Sequence, residues 1–244
     1  MSEVELAVSG NVAEVILNRP ERKNAITGPL GEHLADCLAQ ANADPEVHVI
    51  LLRGAGGSFC SGLDLDAFNA EPAPDWLPEF QHIWRGAHRA LFNSEKPIVG
   101  ALERYAINGG AALALACDLL VAGEGAFLQV GEVKIGMAAP YNMAWLSLRH
   151  SEALAARIAL VGDRLSGAHL GDLSVAHEVV ADDTVLAAGR QLAETLAAYP
   201  PGGLNRIKTG MRARLTVDAD TWFDRFTGKD PVGNRPQPKS MKST

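Results

Sequence analysis

Two stretches of this chain share one design, and that design limits the folds open to it. "VHVILLRGAGGSFCSGLDL" and "KPIVGALERYAINGGAALALACD" each pass from an apolar run into a glycine-containing segment that opens a helix. The apolar runs read as buried strands. In the first stretch Ser61 and Asp64 have the S-x-x-D spacing of a capping box. That spacing makes Ser61 the expected N-cap and leaves the Gly62 and Leu63 amides unpartnered in the first turn. In the second, Gly109 and Gly110 open a segment that is apolar all round, which predicts a short helix inside the core. Helix starts of this kind offer N–H donors and positive potential to an anion. Two amides aimed at one oxygen form an oxyanion hole, each donor supplying about 10²–10³ in rate. The same glycines also let a helix pack tightly on a strand. The residues alone leave both readings open.

The remaining pattern agrees with an α/β fold built from repeated strand, strand, helix units. Residues 4–8 and 12–17 alternate around Ser9-Gly10-Asn11, as a hairpin does. Thr27 caps an expected helix with Leu30, Leu34 and Leu38 on one face, and Phe80 to Phe92 is amphipathic. Residues 70–78, rich in proline and acid, read as a loop. Two short strands are expected around Gly123-Glu124-Gly125. From about Tyr141 onward the pattern is helical almost throughout, with caps or breaks at Ser166, Asp182, Pro200-Pro201 and Asp218. The tail from Gly228 has no core pattern.

Composition narrows the function. With 244 residues, 47% hydrophobic, and a formal net charge of −7, the chain reads as a globular enzyme without the basic stripe of a nucleic-acid binder. It has no run of apolar residues long enough to span a membrane, and its first residues are acidic and alternating, unlike a targeting peptide. Three cysteines without metal-ligand spacing suggest a reducing compartment, so the expected location is cytoplasmic. "GAGGSF" lacks the last glycine of a dinucleotide fingerprint, and there is no H-E-x-x-H or G-x-S-x-G. Of the scattered histidines, His82 stands nearest a catalytic role because its helix follows the Pro-rich loop.

Three motifs in order and spacing give the chain its resemblance to the enoyl-CoA hydratase/isomerase (crotonase) family. "LNRPERKNAI" resembles that family's N-R-P-x-x-x-N-A-L/I, "GSFCSGLDL" its A-F-x-A-G-x-D-L, and "AINGGAALALACDLLVA" its A-x-G-G-G-x-E-L-A-x-x-C-D. The resemblance implies a spiral of repeated ββα units over residues 1–185, holding the acyl-CoA site. A C-terminal helical region, 186–244, would serve trimerisation, giving homotrimers or hexamers. It implies that the Leu63 and Gly109 amides bind the thioester oxygen of an acyl-CoA, with Ser61, Gly62 and Gly110 alongside. Arg22, Lys23 and Ala25 match the stretch that contacts coenzyme A, which enters as part of the substrate; no bound cofactor and no metal is expected. Asp64 falls in the same stretch and is read as a cap.

Hydratases of the family use two glutamates, and the first of those positions is Ala112 here. The second is Glu132, in an apolar run where desolvation should raise its pKa. One carboxylate suffices for a double-bond shift from 3-enoyl- to 2-enoyl-CoA. "GMAAPYNMAW" also resembles single-glutamate isomerases, with Pro140 where related enzymes place an extra acid and Tyr141 and Asn142 beside it. Trp76, Phe80 and Trp84 are expected to border the acyl pocket. A one-glutamate hydratase and a non-catalytic acyl-CoA binder are the alternatives. Three departures stand out: Arg104 and Asn108 replace glycines, and the family's basic C-terminal signature is missing, so Lys239 inherits no role.

Overall fold

Pairing starts at the hairpin, where β1 (Val4–Ser9) and β2 (Val12–Leu17) run antiparallel around Gly10. The computed structural model describes residues 2–227. The chain then crosses over through α1 (Gly28–Ala43) to β3 (Val49–Gly54), which joins β2 in parallel. Thr27 caps α1 as its sequence predicts, its hydroxyl accepting from the Leu30 amide at 3.2 Å. A single-turn helix, α2 (Leu65–Phe68), and the amphipathic α3 (Phe80–Asn93) lead to β4 (Ile98–Leu102).

From β4 onward each unit gives one strand to each of two sheets. β4 is followed by β5 (Tyr105–Ile107), α4 (Gly109–Ala116), β6 (Leu119–Gly123) and β7 (Phe127–Gln129). Next come α5 (Pro140–Arg149), α6 (Glu152–Val161), β8 (Arg164–Ser166), α7 (Gly167–Asp172) and β9 (Glu178–Val180). The large sheet has the order β1-β2-β3-β4-β6-β9, and the small one β5-β7-β8. Two sheets fed in turn by successive units form the spiral that the resemblance implies. α4 carries Ala and Leu on every side and is buried along its length, as an all-apolar helix must be.

β8 and β9 escape the sequence pattern, which is helical there. At three residues each, they are too short for any periodicity and exist only because β7 and β6 offer free edges. Asp182 is not a cap. Its carboxylate accepts from the Gly125 amide at 2.9 Å and pins the turn between β6 and β7. Ser166 and Asp218 do cap, accepting from the amides of His169 and Thr221.

Three further helices, α8 (Val185–Ala197), α9 (Gly203–Arg212) and α10 (Ala219–Thr227), close the described chain. α8 covers the face of the large sheet away from α4, with Gly189 lying against Leu51 and Ala101. α10 folds back on its own α3 and α5 and buries Trp222 and Phe223. The C-terminal ends of α3, α4 and α5 meet beneath α9, where each exposes carbonyls without helical partners. Three arginines fill that need: Arg212 donates to Phe92, Arg149 to Ala116 and Arg214 to Leu148. Cations at helix C-termini also oppose the macrodipole. The tail from Gly228, with Lys239, lies outside the described residues.

Asp118 anchors this junction. It accepts from the Ile98 amide at 2.8 Å and from Arg149 at 3.0 Å, and the buried Lys208 ammonium sits 2.7 Å away. Burial alone would raise the Asp118 pKa, but Lys208 and Arg149 hold it below the usual carboxylate range. Lys208→Met should therefore lower stability by about 2–3 kcal/mol, because one arginine is left to compensate a buried carboxylate. The check is the urea midpoint at unchanged slope; an unmoved midpoint would contradict it.

Candidate active site

Residues 58–64 form neither a strand nor the start of a helix. They are an extended segment held by one parallel bridge on each side, Cys60 to Ala106 and Leu63 to Ile26. At the second bridge the Ile26 amide donates to Gly62 and the Asp64 amide donates to Ile26, at 2.8 and 2.9 Å. Those bonds use the groups on either side of Leu63, so the Leu63 N–H faces away from Ile26. No backbone carbonyl among the described residues accepts it. Ser61 is not the N-cap expected of it. α2 begins four residues later, capped by Asp64, whose carboxylate accepts from the Ala67 amide at 3.2 Å. The cap belongs to Asp64 because Arg19 and Arg22 converge on the same carboxylate.

Gly62 is what lets this segment approach β5. Its φ of +91° suits glycine, and a Cβ there would stand 2.9 Å from the Ile107 carbonyl oxygen. A Cβ on Gly110 would stand 2.6 Å from the Cys60 carbonyl oxygen. The two glycine-containing segments are thus in backbone contact, and both of their functions read from sequence, close packing and free amides, coexist. Gly109 opens α4, so its N–H has no acceptor within the helix, and no other backbone carbonyl takes it among the described residues.

Asn108 joins this donor to the acid. It holds φ 51° and ψ −111° at the N-cap of α4. Its side-chain oxygen accepts from the Gly131 amide at 2.8 Å, and its carbonyl accepts from Asn142 Nδ2 at 3.1 Å. Glu132 follows Gly131 at the start of a one-turn 3-10 helix and is buried. Its Oε1 accepts from Asn142 Nδ2 at 2.9 Å, whereas Oε2 has no partner among the described residues, and neither has Asn142 Oδ1. Burial pushes the Glu132 pKa up to about 7, against the opposing pull of its own backbone amide and Asn142. The sequence singles out Glu132, but Asn142 only as a neighbour and Asn108 only as a departure from glycine. Their roles rest on partners 10 to 34 residues away.

The basic turn is built by Asn24, which sequence reasoning passed over. In the left-handed region at φ 55°, it accepts from the Arg19 amide and donates to the Ala55 and Ser58 carbonyls. That ties the turn to the Leu63 segment. Arg22 and Lys23 are exposed, Ala25 is buried, and the Lys23 carbonyl accepts from the Ser61 amide. Asp64 is saturated by Arg19, Arg22 and the Ala67 amide. Burial would raise its pKa, but those partners hold it at about 2. A permanently ionised, fully bonded carboxylate is a strut and has no proton to give.

On the other side stands a run of aromatic rings. Phe68 packs edge to face with both Trp76 and Phe80, Phe80 stacks on Trp84, and Trp84 meets Tyr141 at 6.4 Å. The Trp84 ring lies beside Gly109, 3.7 Å from where a Cβ would be. Pro140 fixes the first turn of α5, which carries Tyr141 and Asn142. Ala112 is buried in α4. His82 is exposed, while His88, on the same helix, is buried among the rings. Spacing held the signal for that, since His88 lies four residues after Trp84 on the same face. Among the described residues no cluster of His, Cys, Asp and Glu could hold a metal, and no helix is long and apolar enough to cross a membrane.

Residues 7–224 match the sequence model of a family described as enoyl-CoA hydratase/isomerase. The chain is 34% identical to 1,2-epoxyphenylacetyl-CoA isomerase of Escherichia coli K12, over 89% of this chain and 84% of the relative. It is 30% identical to a probable peroxisomal enoyl-CoA hydratase 1 of Arabidopsis thaliana, over 86% and 78%. Among solved structures, a carnitinyl-CoA dehydratase from Mycobacterium avium 104 superposes with a TM-score of 0.82 at 30% identity, covering 93% and 90% of the two chains.

A buried acid with a raised pKa makes stability depend on pH with a definite sign. The contribution is full below the ordinary value of 4.5 and is lost as pH rises through about 7. Glu132→Gln removes that loss. The variant should match the wild type at pH 4 and exceed it at pH 8.5 by about 3 kcal/mol, in thermal or urea melts. A gap of the same size at both pH values would contradict the burial argument.

Proposed function

The chain belongs to the enoyl-CoA hydratase/isomerase family, and from that premise we propose that it shifts the double bond of a 3-enoyl-CoA to give the 2-enoyl-CoA. It is an enzyme of the isomerase/lyase type acting on CoA thioesters. In the proposed reaction the thioester oxygen accepts from the Leu63 and Gly109 amides. Glu132 Oε2 takes a proton from C2, and the electron pair moves into a dienolate whose negative charge rests on the thioester oxygen. The same carboxyl then returns the proton at C4, which leaves the double bond between C2 and C3. No atoms are gained or lost. Two preorganised donors stabilise the charge as it develops.

One observation carries this reading. Glu132 has one oxygen fixed by Asn142 and the other free, at a pKa of about 7, while Ala112 leaves it without a second acid. A base near neutrality is matched to taking and returning a proton. Arg22 and Lys23, exposed beside the Leu63 segment, and the buried Ala25 are the assigned contacts to coenzyme A. Assembly into trimers, or pairs of trimers through the C-terminal region 186–244, completes the proposal. Val133 and Ile135, on the turn that carries Glu132, and Leu160 and Val161 on the adjoining α6 are a further exposed apolar face, outside that region.

A second reading, hydration of 2-enoyl-CoA, draws support from Asn142 Oδ1. This buried acceptor lies in the same small group as the free Glu132 oxygen, and a water molecule has two hydrogens to offer. Incubation with 3-enoyl-CoA and, separately, with 2-enoyl-CoA in ¹⁸O-labelled water distinguishes the two. Isomerisation should dominate, with label incorporated slowly. Glu132→Gln should lower turnover by about 10²–10⁴ while leaving the affinity for CoA thioesters in place. The wild-type kcat/KM should rise with pH through about 7, the pKa of the free base. Turnover that survives in Glu132→Gln would move the base elsewhere.

A further inference from the structure

Beside α9, where the C-terminal ends of α4 and α5 meet it, lies a cavity of about 620 Å³. Asp118, Ser174, Arg149, Arg212 and Arg214 are in its wall. It is separate from the oxyanion donors, since α4 has eight residues and its C-terminal end stands ~12 Å from Gly109. Charge in this cavity does not balance. Asp118 is the only carboxylate among the lining residues, and Lys208 already sits on it. The helix ends of α3, α4 and α5 supply about half a negative charge each. Against these stand four cations, Lys208 and the three arginines, which leaves about one and a half positive charges over. His150, also in the wall, adds no charge at neutral pH, because burial and then Arg149 push its pKa down.

The protein's own acceptors also fall short of its donors there. Among the described residues Arg149 makes both of its bonds through Nη2, while Arg212 bonds through Nη1 alone and Arg214 through Nη2 alone. Burial pushes the Arg212 pKa down to about 10, and the neighbouring Arg149 and Arg214 push it the same way. Like charges gathered round one space are costly unless something negative shares it. Capping a helix end uses one nitrogen of each arginine and does not call for three guanidinium groups about a cavity. Two of the groups are also preset, with Arg212 over the Phe92 ring at 4.8 Å and Arg149 over Trp145 at 5.7 Å. A planar fork fixed in this way matches the oxygens of a phosphate or a carboxylate. We infer that this cavity binds a small polyvalent oxyanion, a phosphate or polycarboxylate group, through Arg149, Arg212 and Arg214. The inference is independent of the reaction proposed above.

The test titrates pyrophosphate and, separately, citrate into the wild-type protein by calorimetry, with sodium chloride of matched ionic strength as the reference. At least one of the two should bind with a Kd below about 1 mM, and the tighter of them tells phosphate from carboxylate chemistry. Arg214→Gln keeps a donor for the Leu148 carbonyl but removes the charge and the fork, and should weaken binding at least about tenfold. Ser174→Asp sets a carboxylate at an exposed position of the wall and should weaken it similarly. Both side chains are exposed, so neither change disturbs the core. Arg22→Gln, on the turn assigned to coenzyme A, should leave the affinity in place. Loss in either cavity variant, with Arg22→Gln unchanged, supports the inference. Absence of binding in the wild type overturns it. So does binding that survives in both cavity variants, or binding that is lost in Arg22→Gln, which would move the anion to the coenzyme A turn.

Discussion

A left-handed residue at the start of a buried helix, Asn108, governs the geometry of the whole site. Its backbone sets the direction in which α4 begins and so where the Gly109 amide stands. Its side chain holds Gly131, the residue before Glu132, and its carbonyl holds the Asn142 amide that grips Glu132. Asparagine tolerates positive φ better than most residues with a side chain. Glycine would tolerate it more easily but could not bond Gly131. The donor of one glycine segment and the acid on another loop are therefore locked together through one residue.

That lock comes with a stability cost. Glu132 Oε2 and Asn142 Oδ1 are both buried without partners among the described residues. Each is a loss relative to an apolar replacement of the same shape. The surrounding framework offsets these losses by ordinary means. α4 is apolar on every side, the three cationic caps satisfy the helix ends beneath it, and Asp64 is saturated by two arginines and an amide. The framework carries unsatisfied atoms of its own, Arg149 Nε, Arg212 Nη2 and Trp222 Nε1, so the cost is shared between the site and its support.

How far the chain could be read in advance follows from how local each signal is. Thr27, Ser166 and Asp218 cap because their own amides three residues on lie within reach, and such caps are visible in sequence. Of the two glycine segments only the second, at Gly109, opens a helix as its sequence predicts; the first is an extended segment whose helix begins later, at Leu65. Ser61 misled for a physical reason. A capping-box spacing does not say which of its two members caps, and the choice here was made by Arg19 and Arg22, more than forty residues upstream of Asp64. β8 and β9 are strands only by virtue of their neighbours. Glu132 was found through family resemblance. The partners that tune it were not, because the hydrogen bonds from Asn108 and Asn142 span loops whose closure no local pattern encodes.

Ala112 is most informative when set against Asn142. α4 is packed so closely that every residue from Gly110 to Ala116 is buried, and a carboxylate at 112 would need a compensating partner there. In this chain the polar group near Glu132 arrives instead from α5, as an amide that carries no charge at any pH. A second carboxylate interacting with Glu132 would push the two pKa values apart and couple the two titrations. An amide does neither. It orients the carboxyl through one hydrogen bond and leaves burial to set the pKa near neutrality, so that a single residue can both take and return a proton. In the proposed double-bond shift, the alanine at 112 and the amide at 142 work in one direction, toward chemistry in which the proton leaves and comes back by the same oxygen.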